Sequence, residues 1–263
     1  MPRDLQAFTE ELKSQNNRQL TKSPEEVDDQ DRKDSRSNAM TANEGTRGKT
    51  FAQMRSGMSK RDALHPYTNA LSPKDAASCT RLEEEAFPAN ERCTKEKFQY
   101  RLKHCGELSL GIFTSSSDGN LPTADAAFPV YSGAPKRKAV LIGHIIATKT
   151  TNLTLTDDDM AIPSPDSPDP KLGHKEFGRT ICIHSLAVLP QYQGIALGMT
   201  LMMAFLQRTE SHGIADRAAL ISHKELIPYY EGFGFVNRGE SKCQFGGGGW
   251  FDMVKELQSG MND

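Results

Sequence analysis

Long apolar runs are the first thing this 263-residue chain lacks. No stretch of about 18 consecutive apolar residues occurs, which excludes a membrane-spanning helix of ordinary length. The opening residues, MPRDLQAFTEELKSQNNRQ, carry none of the apolar centre of a secretory signal. Closely spaced cysteines are missing too: Cys79, Cys93, Cys105, Cys182 and Cys243 form no CxxC pair and have no histidine beside them at ligand spacing. A structural zinc site is therefore not expected, and the thiols read as reduced cysteines of a cytoplasmic protein. Charge of one sign is also scarce. The 32 Lys and Arg stand against 34 Asp and Glu, a formal net charge of -2, so nothing electrostatic favours nucleic acid or an anionic membrane as partner. The expectation is a soluble chain, taken as monomeric.

What is present changes along the chain. Residues 1–62 are crowded with charged and amide side chains and have few aromatic or β-branched residues. Such a segment cannot bury enough apolar area to offset its ordering entropy, so a disordered tail is expected over 1–62, with a frayed helix near Leu5 to Leu12. Within it RKDSRS (Arg32 to Ser37) is either a basophilic phosphorylation site or a solvated linker. A folded domain is expected over 63–263. YTNAL reads as a short strand, and Ser72-Pro73 opens a helix to about Glu85. A second helix is expected from Thr94 to Lys103, and LSLGIF is a strand. AVLIGHIIAT (Ala139 to Thr148) is too apolar for a one-sided strand and is expected in the centre of a sheet. Strands TICIHSLAV (Thr180 to Val188) and RAALIS flank a helix of about Ile195 to Ser211, and a short helix and two strands close the chain. The order βααβββαβαββ indicates one α/β domain with a mixed sheet.

The stretch LAVLPQYQGIALG (186–198) turns from strand to helix through small residues. The first N–H groups of a helix have no intrahelical acceptor, and the aligned peptide dipoles make that end partly positive, so the turn suits a phosphate or pyrophosphate. Gly194 and Ala196 allow close approach to the backbone, and Gly198 allows tight helix packing. Packing alone also explains such a turn. It is not the dinucleotide fingerprint, since Gln191 stands where a glycine is needed, nor a Walker loop, since Met199 and Thr200 follow Gly198.

Gln191, Gly194 and Ala196 match the Q/R-x-x-G-x-G/A signature of the GNAT acetyltransferase superfamily. The blocks EAFPANERCTKEKFQYRLKHCGELSLGIF, HSLAVLPQYQG, IPYYEGFGF and KCQFGGGGWFDM, in that order, resemble the arylalkylamine (serotonin) N-acetyltransferase family in its fungal branch. The resemblance runs from about residue 65 to residue 257. It implies a GNAT-type splayed mixed β-sheet flanked by helices, with acetyl-CoA as cosubstrate, no metal, and a small-molecule amine as acceptor. A β-bulge on the strand before the turn would free amides toward the cofactor. The segment Leu186, Ala187, Val188 would then hold the pantetheine and the thioester carbonyl. The turn Gln191, Tyr192, Gln193, Gly194, Ile195, Ala196, with Leu197 and Gly198 at the helix start, would hold the pyrophosphate.

An alkylamine is protonated at neutral pH, so its acetylation needs a base, and the departing thiolate needs an acid. The resemblance assigns the base to His184, two residues before Leu186 on the same strand, and the acid to Tyr230 in IPYYEGFGF, with Tyr229 as second choice. Where the family pattern has two histidines flanking one residue, this chain has Cys182 and His184, which breaks a two-histidine proton path. Satisfied core residues remain the alternative for both His184 and Tyr230. His223 and His104 read as structural or exposed. Phe87 and Pro88 are candidate walls of an apolar amine pocket, and Trp250, after four glycines, is a candidate for its far side. Glu83, Glu84 and Glu85 read as a solvated helix face, one of which could attract a cationic amine. Polyamine and protein-lysine acetylation, and acetyl-CoA binding with little catalysis, are the alternative functions.

Overall fold

The computed structural model describes residues 61–116, 119–131, 133 and 136–258. The expected tail up to residue 60, with its RKDSRS motif, lies outside the described residues. The elements run β1 (Tyr67–Ala70), α1 (Ala76–Ala86), α2 (Lys95–Cys105), β2 (Leu110–Ser116), β3 (Phe128–Pro129), β4 (Lys138–Thr150), α3 (Asp157–Met160), β5 (Thr180–Val188), α4 (Leu197–His212), β6 (Arg217–Ser222), α5 (Ile227–Glu231), β7 (Val236–Glu240) and β8 (Phe251–Glu256).

Local chemistry fixes several boundaries. Ser72 and Asp75 form a capping box before Pro73, so α1 is entered through a single 3-10 turn. The Thr94 hydroxyl accepts from the Lys97 amide and starts α2. Two elements were not foreseen. β3 is only two residues long, and α3 sits in a run that reads as loop, because one turn of helix is too short to show a period. Its start is nonetheless encoded: Thr156 and Asp159 make a second capping box.

The strands form one eight-stranded mixed sheet in the order β1-β2-β4-β5-β6-β8-β7, with β3 on β4. β4 is its centre, as its composition requires: Ile142, Ile145 and Ile146 are completely buried, each worth about 1.5–3 kcal/mol relative to exposure. α4 lays the stripe Leu197, Leu201, Met202, Phe205, Leu206 against the sheet.

Two irregularities position the site. β4 and β5 pair along the whole of Thr180–Val188, but the parallel pairing of β5 with β6 stops after Cys182 and Ala219. Beyond that point the strands part and leave one edge of β5 open. The β4–β5 register also slips: Ile146 faces Ser185, yet Ala147 faces Ile183. His184 is therefore the extra residue of a β-bulge, which re-aims the side chains around it.

Candidate active site

A cavity of about 110 Å³ lies where β5 leaves β6. His184, Ser185 and Leu186 form one wall, and Ile221, Ser222 and His223 from the end of β6 form the other. Phe87, Glu91, Tyr230, Phe245 and Trp250 close it, and Met160 at the end of α3 lies beside His184.

The turn expected to hold the cofactor is built from backbone. After β5 a 3-10 turn over Pro190–Tyr192 leads to Gly194 at φ 76° and Ala196 at φ 64°, the latter capping α4. Left-handed geometry explains the glycine at 194, whereas Ala196 holds the same geometry with only a Cβ, which keeps the helix start open. Gln191, Gln193 and Gly194 are exposed, whereas Leu197 is buried in the core. The Gln193 side chain donates to the Val188 carbonyl at 3.0 Å and ties the turn to the strand. Gly198 packs near Tyr229, whose hydroxyl oxygen would lie 3.3 Å from an added Cβ. Leu186 and Val188 fall on the segment of β5 that has left β6. The geometry fits a pyrophosphate at the helix start and an extended chain along the open strand edge.

The proton-handling candidates face the cavity together. His184 is half-buried on the bulge; its Nε2 is hydrogen-bonded to the Thr148 hydroxyl at 2.7 Å, and its Nδ1 lies 3.4 Å from Met160 Sδ. Burial, followed by the charges of Arg101 and Lys97, pushes His184 well below the ordinary imidazole range, so the ring is neutral. Arg101 donates to the Met160 carbonyl at 3.1 Å and thereby fixes the residue that flanks the imidazole. Burial pushes Tyr230 up to about 12; the phenol keeps its proton and meets the cavity as a donor. Cys182 does not reach the cavity. It is fully buried beside Leu155, Met160 and Cys243, with its thiol held neutral.

Residues 131–257 match the family model described as an acetyltransferase (GNAT) domain. That stretch of the chain is a GNAT acetyltransferase domain. It is 27% identical to the serotonin N-acetyltransferase of Mesocricetus auratus over 168 residues, which is 63% of this chain and 65% of that protein. It is 24% identical to the serotonin N-acetyltransferase of Macaca mulatta, over 72% of this chain and 77% of that one. The chain thus spans just under two thirds of the first of these relatives. In fold it is similar to the GphF GNAT-like decarboxylase in complex with isobutyryl-CoA, with a TM-score of 0.51 at 12% identity, covering 73% of this chain and all of that one.

The GNAT domain departs from several sequence expectations. Pro88 is not a wall: it is exposed and opens the 3-10 turn Ala89–Glu91, which brings Glu91 to the cavity instead. Glu83 is not on a solvated face. It is 1% exposed, one position further round α1 than Glu84 and Glu85, which are exposed. His223 is not merely structural, because it lines the cavity, donates to Glu91 at 3.1 Å and stacks on Trp250 with ring centres 4.1 Å apart. Trp250 is held in turn by its indole N–H, which donates to the Phe245 carbonyl at 2.6 Å. All four glycines from Gly246 to Gly249 adopt positive φ, and an added Cβ on Gly246 would come within 3.0 Å of Glu91. The run approaches Glu91 closely at Gly246. Among the described residues no group of three metal-ligating side chains converges and no helix is long and apolar enough to cross a membrane.

Proposed function

We propose that this domain transfers the acetyl group of acetyl-CoA to a primary amine of the arylalkylamine type, by direct attack in a ternary complex. The observation that carries the reading is the convergence of His184 and Tyr230 on one small cavity walled by Phe87 and Trp250, beside an anion-suited helix start. The relatives named serotonin N-acetyltransferase support the same substrate class. The aromatic walls favour a flat ring, and the single carboxylate at the cavity, Glu91, favours one cationic end rather than the several of a polyamine.

In this reading the open edge of β5 near Leu186 and Val188 aligns the thioester, and the turn from Gln191 to Ala196 holds the pyrophosphate. Attack by the neutral amine forms the N–C bond, the C–S bond breaks, and the surplus proton of the nitrogen passes to the phenolate left once Tyr230 has protonated the sulfur, which restores the phenol. Tyr230, still protonated, donates to the sulfur as negative charge develops there. His184, neutral, donates from Nε2 to the Thr148 hydroxyl and accepts at Nδ1 a hydrogen bond from the amine or from a water beside it. Coenzyme A release with tryptamine, phenethylamine, spermidine and a lysine-containing peptide tests the proposal. Fastest turnover with the first two is expected. Faster turnover with spermidine or the peptide would overturn the substrate class, and acetyl-CoA binding without turnover of any amine would overturn catalysis.

A further inference from the structure

Beneath the cavity wall lies a buried polar cluster that the reaction as described leaves unused. Ser185, beside His184, lines the cavity and is 7% exposed. Its Oγ is 3.0 Å from Nε2 of His144, a fully buried histidine in the middle of β4. The same Nε2 is 3.4 Å from Oε1 of Glu83, and the other oxygen of Glu83 accepts from the Cys93 amide. The three groups come from α1, β4 and β5, and of them Ser185 lines the cavity. The Nδ1 atom of His144 has no hydrogen-bond partner among the described residues. An apolar side chain would fill a central strand at lower cost, since an unpaired buried polar atom is destabilising.

We propose that Ser185, backed by His144 and Glu83, is the route by which the proton leaves the substrate ammonium. This rests on the amine-acetylation reading above. With the ring hydrogen on Nδ1, the Ser185 hydroxyl donates to His144 Nε2. The ammonium gives a proton to Ser185 Oγ as the serine's own proton moves to Nε2. The serine is restored, the amine is neutral, and the new imidazolium lies against the Glu83 carboxylate. The amine then attacks, and after product leaves the proton returns through Ser185 to solvent. The carboxylate suits this part: burial pushes the Glu83 carboxyl up, but its polar neighbours, His144 first, with Ser185 and the donating Cys93 amide, outweigh it and hold it below its ordinary range. The other titratable or charged groups packed round the cluster are His184, the neutral buried thiols Cys79 and Cys93, and Arg101, which reaches Cys93 Sγ at 3.5 Å. Cys182 is buried away from the cavity, so this cluster and not that position supplies the second proton acceptor. Ser185 touches the amine; His144 and Glu83 act through it as positioning residues.

The test is the pH dependence of kcat with tryptamine, from pH 6 to 9.5, for the full chain and for Ser185→Ala, Ser185→Thr and His144→Gln. The unaltered protein should level off within this range. Ser185→Ala should lose about 10 to 100-fold at pH 7 and keep rising with pH, since only amine already neutral in solution reacts. Ser185→Thr keeps the hydroxyl and should restore the plateau, while acetyl-CoA affinity stays unchanged in both. His144→Gln should resemble Ser185→Ala; should it fail to fold, the serine pair alone decides. A Ser185→Ala profile that levels off like the unaltered protein's would overturn the relay while leaving acetyl transfer intact. An unaltered chain that acetylates no amine would overturn the reading on which the relay rests.

Discussion

The turn after β5 and the cavity at the splay of β5 from β6 are built from different parts of the chain's chemistry. The turn, the proposed cofactor end, uses eight consecutive residues, Gln191 to Gly198, and works through backbone: Gly194 and Ala196 in left-handed geometry and the open first turn of α4. The amine end uses side chains from Glu83, Phe87 and Glu91 to His144, Ser185, His223 and Trp250, gathered from α1, β4, β5, β6 and the turn before β8. A backbone site tolerates many side chains but requires small ones at particular positions, here Gly194, Ala196 and Gly198. A side-chain site requires particular groups, yet places no demand on their order or spacing.

The comparison breaks most sharply at Gly194. Replacing it with Glu forces a bulky residue into φ 76° and adds negative charge where phosphate should dock. Gly194→Glu is expected to abolish acetyl-CoA binding in calorimetric titration while the thermal transition of the domain persists. Unchanged affinity would show that the turn serves helix packing alone.

This contrast also explains what could be read in advance. The β5–turn–α4 unit was legible because its constraint is local, and so was β4, whose apolar run allows no exposed face. His144 stood in plain view inside that run as its one ionisable residue, but nothing local indicates what a buried histidine meets. Glu83 was misread because three consecutive glutamates look alike in sequence, whereas a 100° step per residue carries only the first of them into the core. Glu91 and His223 are 132 positions apart and meet only through the splay of β5 from β6. The bulge at His184 was expected on this strand from the family resemblance, but its exact residue is set by the pairing with β4.

Within the cavity the comparison sharpens, because side chains there should affect turnover without affecting cofactor affinity. His184→Ala is expected to lower kcat by about 10 to 1000-fold, with acetyl-CoA affinity little changed, and the deficit should shrink as pH rises and more amine is already neutral. Tyr230→Phe removes the donor to the thiolate, and its deficit should persist at high pH. Rapid-quench measurement of the first turnover from pH 6 to 9.5 separates the two. A His184→Ala deficit constant across that range would remove the residue from the proton path.

The smallest expected effect concerns stability, where the amine end should carry a cost that the backbone-built end does not. Burial holds His184 well below the ordinary imidazole value, and burial also lowers His174. The unfolded chain takes up these protons as pH falls below about 6.5, while the folded protein does not. The unfolded state therefore binds more protons in that window, and the free energy of unfolding falls with falling pH, by at most about 1.4 kcal/mol per pH unit for each histidine. Glu83, whose carboxyl is held low in the folded state, has the same sign, but its contribution is lost only below the ordinary carboxylate range. Between pH 5 and 6.5 the histidines thus dominate. Urea unfolding at pH 5, 5.75 and 6.5 should give a steeper slope for the unaltered protein than for His184→Gln, which keeps a polar group beside Thr148 but does not titrate. Equal slopes would mean that the imidazole charges freely in the fold, and the neutral partner assigned to the amine would have to be sought elsewhere in the cavity.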